Sequence, residues 1–331
     1  CTTDRADEGR FLLETAFLLA LPHSPTVSAF GRSVDTIDPS ADISLANHPL
    51  SKLFTFAPSR TPSTAERATR EVTMQALNEV TISRAIISRY TAKLQAALEL
   101  DVAIVGGGPS GLVAGYYLAR AGKRVALFDR KLSVGGGVWG GGMMFNEVVV
   151  QEAGMLVLAD LGISATPFES GYYTLDSVYL ASGLVHKAVA AGLTIFNCIS
   201  MEDVVIRGDR VSGLVLNWSA VEQAGWPVDP LTIRSDYVID ATGHPAEVTG
   251  TLTRKMGITL DTPTGGIVGE KSMQAERAER QTVENTREVF PGLWVSGMAA
   301  NAVMGGYRMG PVFGGMLLSG QKVAQELIAR G

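Results

Sequence analysis

Three features of the sequence predict an α/β fold built on a mainly parallel sheet. LDVAIV (100–105) is a short apolar run bounded by glycines, as a strand buried on both faces requires. A glycine-rich turn and a helix-like segment, GGGPSGLVAGYYLARAG, follow it directly. KRVALFD then supplies a second strand-like run that ends in an acid. Strand, tight turn, helix and strand in that order make a βαβ unit, whose two strands lie parallel. With 331 residues the chain has room for two domains or one large α/β domain, and its 46% hydrophobic content and 37 glycines suit a compact, glycine-turned fold.

The remaining elements follow along the chain. Residues 1–73 hold six of the fourteen prolines and nine Asp/Glu and show no sustained period, so they are expected to be a poorly ordered leader, translated from upstream of a start at Met74. Their apolar run FLLETAFLLALP is shorter than the ~20 residues a membrane-spanning helix needs, and the acids argue against an organelle transit peptide. Residues 74–331 are expected to form a single α/β domain. LNEVTISRAIISRYTAKLQAAL spaces Leu77, Val80, Ile82, Ile86, Ile87, Tyr90, Leu94 and Leu98 as a helix does. Residues 151–200 mix helix and strand, and EDVVIRGDRVSGLVLNW reads as a hairpin turning at Gly208-Asp209, a β-rich insertion. SDYVIDATG and LWVSGM read as further buried strands, before a last helix in GPVFGGMLLSGQKVAQELIAR.

Charge and cysteine content remove several classes of function. A net charge of −5 without a dense Lys/Arg run gives no nucleic-acid surface. Two cysteines, Cys1 and Cys198, cannot build a disulfide framework or a cysteine-rich zinc site, and a reducing cytoplasm is the expected compartment.

Gly106, Gly108 and Gly111 form G-x-G-x-x-G between strand and helix. The first glycine permits the tight turn, the second lets backbone approach a pyrophosphate, and the third allows close helix–strand packing, with the helix N-terminus facing the phosphates. Asp129 ends the next strand 18 residues after Gly111, where a carboxylate can accept from ribose hydroxyls. Together with Ala241 to Gly243 at the end of a later strand, this spacing predicts a two-dinucleotide-binding (glutathione-reductase-like) Rossmann-type fold. Flavoproteins of that fold usually carry Gly-Asp near the C-terminus for the ribityl chain. Here Gly297-Met298 stands in the strand LWVSGM, and methionine cannot accept those bonds. GGGVWGGGMM adds six glycines that let main chain lie against a ligand, unless it is simply a flexible loop.

Asp229 lies between Pro227 and Pro230, which restrict its backbone, and His244 directly follows the strand end DATG. A carboxylate and an imidazole suit a borderline divalent ion such as Fe(II), although a lone histidine is more often an ordinary polar residue. His23 and His48 fall in the leader, and His186 falls in a helix-like segment with a solvated or packing role. Arg308, after two glycines in GGYRMGP, is suited either to a carboxylate held bidentately or to a surface ion pair.

ELDVAIVGGGPSGL, GGGVWGGGMM, DPLTIRS, DATGH, GEKSM, NTREVFPGLWVSGMAAN and GGYRMGPVFGGMLLSG, in this order, resemble the thiamine thiazole synthase family, particularly its archaeal and bacterial members. The resemblance runs from about Leu77 to Ile328. It implies a cytoplasmic enzyme of thiamine biosynthesis that uses NAD as a substrate. Nicotinamide leaves, the ADP-ribose skeleton condenses with glycine, sulfur is added, and cyclisation with loss of water gives an ADP-thiazole carboxylate. It further implies that Ser110, Asp129, Arg130 and Gly137 hold the ADP-ribose, with Met201 near the adenine through its backbone. Asp229 and His244 would bind Fe(II) from neighbouring subunits of a ring-like homo-octamer. Met298 would line the site, and Arg308 would bind the glycine carboxylate.

Pro227 departs from the family pattern. Fungal and plant members have there a cysteine that gives up its own sulfur, and sulfide-using archaeal members typically have histidine. Proline can do neither, which points to free sulfide and multiple turnovers, with Cys198 expected to be a small buried thiol rather than a donor. The competing readings are a flavin-dependent oxidoreductase of the same fold, a sugar-bisphosphate isomerase and a catalytically lapsed nucleotide-binding protein.

Overall fold

The structure, a computed structural model, describes residues 74–330. The expected leader, with His23 and His48, lies outside the described residues. Helix α1 (Glu79–Ala96) leads into β1 (Glu99–Val105), α2 (Pro109–Arg120) and β2 (Val125–Asp129). A short 3-10 turn at Gly136–Gly140 precedes β3 (Glu147–Gln151), α3 (Glu152–Asp160), β4 (Thr166–Glu169), β5 (Tyr172–Asp176) and α4 (Ser177–Ala190). Next come β6 (Thr194–Asn197), β7 (Ile199–Ile206), β8 (Val211–Trp218), α5 (Ser219–Ala224), β9 (Leu231–Asp240) and α6 (Glu247–Met256). The C-terminal part holds β10 (Lys271–Met273), α7 (Ala275–Glu284), β11 (Arg287–Phe290), β12 (Leu293–Val295), α8 (Met298–Met304), β13 (Tyr307–Arg308) and α9 (Gly314–Ala329).

The main sheet runs β11-β12-β9-β1-β2-β6, and β12, β9, β1, β2 and β6 are mutually parallel. The fold is therefore the expected mixed α/β type. Strand β1 sits at its centre because both faces of the strand are apolar: Val102 and Ile104 join one core with α2, α4 and α9, while Ala103 and Val105 join the opposite core. The expected hairpin exists as β7 and β8, and β8 pairs antiparallel with the first half of β9. Two small sheets complete the described residues, β3-β5-β4 and β10-β13.

One expectation, the placement of Met298, needs correction. α1 is helical as its spacing predicts, and none of its residues is fully buried. Val80, Ile86 and Ile87 are exposed in this chain, and only Tyr90 and Leu94 pack on the core. Met298 is not in a strand: β12 stops at Val295, Gly297 takes φ +65°, and Met298 opens α8. A left-handed residue cannot continue a strand, and this one turns the chain into the helix.

Glu279 of α7 is buried against the start of α9, where both its oxygens accept from Gly315 N–H at 2.9 Å. Burial pushes its carboxyl above the ordinary glutamate value, and the Gly315 bond offsets this only in part. The folded state therefore binds a proton more readily than the unfolded chain, so stability falls as pH rises from the ordinary carboxylate value through the raised one. Denaturant unfolding of Glu279→Gln at mildly acidic and neutral pH should show that this part of the pH dependence has disappeared. An unchanged pH profile would show that Glu279 does not carry it.

Candidate functional site

The first wall of the site is the turn between β1 and α2. Gly106 has φ +100°, and a Cβ there would lie 2.4 Å from the Ala241 carbonyl oxygen. A Cβ on Gly111 would lie 2.2 Å from the Gly106 oxygen, whereas Gly108 faces open space. The first and third glycines are thus required by the chain's own packing, and the second lines a cavity. Pro109 occupies the first turn of α2, and no side chain caps that helix. Its N-terminal amides are left for an anion.

Asp129 ends β2 beneath this turn. It is buried, and its two oxygens accept from Gly107 N–H at 2.7 Å and Lys131 N–H at 2.8 Å. The carboxylate therefore ties the glycine turn to the sheet, and each oxygen keeps a further lone pair for a ribose hydroxyl. The second glycine segment packs on the first: Gly135 N–H donates to Gly107 O at 2.8 Å, and a Cβ on Gly136 would meet Gly108 Cα at 2.9 Å. Trp139 Nε1–H bonds the Val134 carbonyl at 2.9 Å, so the tryptophan is fixed inside its own loop. Gly137 lines the cavity.

The second wall starts at the end of β9. Asp240 is fully buried, and its carboxylate accepts from the N–H and Oγ1–H of Thr242 and of Thr249, at 2.7 to 3.2 Å. This bracket holds the DATGHPA turn, in which Gly243 (φ +82°) and Ala246 (φ +45°) are both left-handed. His244 projects from that turn, and its Nδ1 lies 2.7 and 2.8 Å from the two oxygens of Glu270. Glu270 directly precedes β10, which pairs with β13, the strand that carries Arg308. Behind β13, buried Asn301 donates to Thr282 Oγ1 at 2.8 Å and to Tyr307 O at 3.1 Å. Met298 is buried but lines the cavity, and Gly297 sits where a Cβ would meet Ser110 Oγ at 2.4 Å.

Between the walls lies a cavity of about 640 Å³, within the usual range for small-molecule sites. It opens at the C-terminal ends of β1 and β9, where α/β sheets bind ligands. Of the residues singled out in the sequence, Gly106, Gly108, Ser110, Asp129, Arg130 and Gly137 line it, as do Met201, His244, Met298 and Arg308. Gly111 stands just behind. Arg130 pairs with Glu247 at 2.6 Å, and burial, against the pull of Arg130, raises the Glu247 carboxyl.

Asp229 does not join them. It lies in the exposed segment 226–230 and is not part of the cavity lining. Among the described residues of one chain, no three His, Cys, Asp or Glu side chains converge as a metal site. Cys198, in a left-handed turn (φ +57°) between β6 and β7, is half-buried rather than buried as expected, and it too lies off the cavity. His186 is exposed on α4, as expected. Sequence reasoning missed Glu270, Glu247 and the Asp240 bracket. The GEKSM motif contains Glu270, but nothing in it signals a partner 26 residues away.

A profile of the Thi4 family matches residues 83–313. The chain belongs to the Thi4 family. It is 60% identical over 254 residues to the thiamine thiazole synthase of Desulfosudis oleivorans, covering 77% of this chain and 98% of that one. It is 57% identical to the thiamine thiazole synthase of Methanothermobacter thermautotrophicus at the same coverage. The crystal structure of Thermovibrio ammonificans THI4 superposes with a TM-score of 0.76 at 56% identity, covering 77% of this chain and 99% of that one. Among the described residues, no helix is long and apolar enough to cross a membrane.

Asp240→Asn places an amide where the Thr242 and Thr249 backbone N–H groups need acceptors. A buried donor left unsatisfied costs roughly 1–3 kcal/mol. Unfolding free energy should drop by about that much. A wild-type unfolding free energy would refute the bracket's role.

Proposed function

We propose that this chain makes the adenylated thiazole of thiamine from NAD, glycine and free sulfide with Fe(II), releasing nicotinamide. The coarser part, an enzyme of thiazole synthesis in thiamine biosynthesis, rests on membership of the family and on relatives that carry that name. The observation that carries the finer reading is that one cavity joins a dinucleotide-type glycine turn to His244 and Arg308, with Met298 at its wall. The glycine turn and the α2 N-terminus hold the pyrophosphate, and Asp129 and Arg130 meet the ribose and its surroundings. Arg308 is exposed on a strand-anchored backbone and takes the carboxylate of glycine by a two-pronged contact.

The donor set fits Fe(II) if two copies share it. An imidazole lines the cavity, and the carboxylate of Asp229 lies on an exposed segment beside exposed Trp226 and Val228, apolar groups suited to contact with a second copy. His244 and a second copy's Asp229 would hold the ion, which when bound supplies a Lewis-acid centre with open positions. Assembly of copies, an octamer by the family pattern, is part of this proposal. Sulfur comes from solution, because Pro227 has none and Cys198 does not reach the cavity of its own chain.

Asp229→Ala and His244→Ala should each abolish Fe(II)-dependent turnover while ADP-ribose binding persists. Co-expressing the two variants should restore part of the turnover, since mixed assemblies contain intact sites; no recovery would contradict the shared site. Molecules released by denaturing the wild-type protein should be NAD or ADP-ribose derivatives, and stoichiometric FAD would contradict the assignment. Peptide mass spectrometry after turnover with sulfide should find Cys198 intact. A loss of the mass of H₂S there would overturn the external sulfur source.

A further inference from the structure

Glu270 has no place in the binding roles above, yet its carboxylate hydrogen-bonds His244. Both its oxygens straddle Nδ1, at 2.7 and 2.8 Å, and its side chain is 18% exposed against 50% for the imidazole. An ionised carboxylate only accepts, so Nδ1 must carry the proton. In the neutral ring this leaves Nε2 as the one nitrogen with a free lone pair. The contact also fixes the rotation of the ring, because two acceptors on one N–H restrict it more than one does.

The backbone around Glu270 is held as firmly as that of His244. Val268 N–H donates to Val303 O at 3.0 Å, Gly269 N–H to Ala302 O at 2.9 Å, and Lys271 N–H to Gly306 O at 2.9 Å. Glu270 is therefore anchored to α8 and to the GGYR segment, the elements that carry Met298 and Arg308. The His244–Glu270 contact closes the cavity's second wall on itself. Even a fully charged pair at this exposure would contribute little to folding, so stability alone gives little reason for such placement.

We propose that Glu270 is the positioning residue of the metal site, holding His244 as the Nδ1–H tautomer so that Nε2 is available to a divalent ion. This rests on the reading of His244 as a metal ligand. Loss of a carboxylate that orients a ligating histidine typically weakens metal binding roughly 10–100-fold.

Co(II), whose visible absorption reports its ligand set, is the probe, titrated under argon into the full-length, untagged protein and its variants. Glu270→Ala should bind Co(II) roughly 10–100-fold more weakly than wild type, with an altered visible spectrum and a nearly unchanged melting midpoint. Glu270→Asp, which keeps the acceptor, should recover part of the affinity. Glu270→Gln should fall between, because its amide can either accept from Nδ1–H or donate to the other tautomer. If His244→Ala abolishes binding while Glu270→Ala binds as wild type does, Glu270 has no positioning role and the metal reading stands. If His244→Ala binds as wild type does, the metal reading fails and the proposal with it.

Discussion

The buried carboxylate of Asp240 is the constraint on which the site's geometry rests. It ends β9 at the centre of the sheet and has no charged partner, only four donors from two threonines. Those bonds keep two left-handed residues in the turn that follows, at a local cost in backbone strain. Thr242 Oγ1 also accepts from the N–H of Glu247, the first residue of α6, at 2.7 Å and so helps place the Glu247–Arg130 pair. On the other side, Ser296 N–H donates to the Asp240 carbonyl at 3.0 Å, which sets the start of the turn carrying Gly297 and Met298. Asp240 thereby holds the turn bearing His244 through its side chain and the turn bearing Met298 through its backbone carbonyl. In a low-dielectric interior such a network is strong when complete and costly when a member is missing.

The parts of the molecule legible in the sequence are those fixed by short-range rules. β1, the glycine turn, Asp129 and the β7–β8 hairpin follow from period, spacing and turn chemistry. Glu270 and His244 meet through tertiary structure: the backbone beside Glu270 is held by α8 and by the segment leading into β13, contacts with no periodic signal. Asp240 stood in a strand that was recognised, but its role depends on a threonine nine residues on. The helix α1 was legible as a helix, while the exposure of Ile86 and Ile87 was not, since burial depends on what the tertiary structure provides. Met298 was misplaced by one element because a left-handed Gly297 ends the run of apparently strand-like residues.

On the proposed reading, the cavity of one chain has its nucleotide end complete and its reactive end incomplete. The glycine turn, Asp129 and the start of α2 line one side. At the other end His244 is held by Glu270, but the exposed segment bearing Asp229 does not line the cavity, and Pro227 there offers neither sulfur nor a proton carrier. On the proposed reading this division has a physical logic. The part that recognises the larger substrate is rigid and local, and the reactive part forms only where copies meet, so that an isolated chain binds but does not react.

The most direct measurement is anaerobic reconstitution of the purified protein with NAD, glycine, sulfide and Fe(II), followed by mass analysis of the small-molecule products. The account predicts free nicotinamide and an adenylated thiazole carboxylate, in several equivalents per chain and only when sulfide is supplied. Failure to form the thiazole with all four components present, or its formation at one equivalent without sulfide, would contradict it.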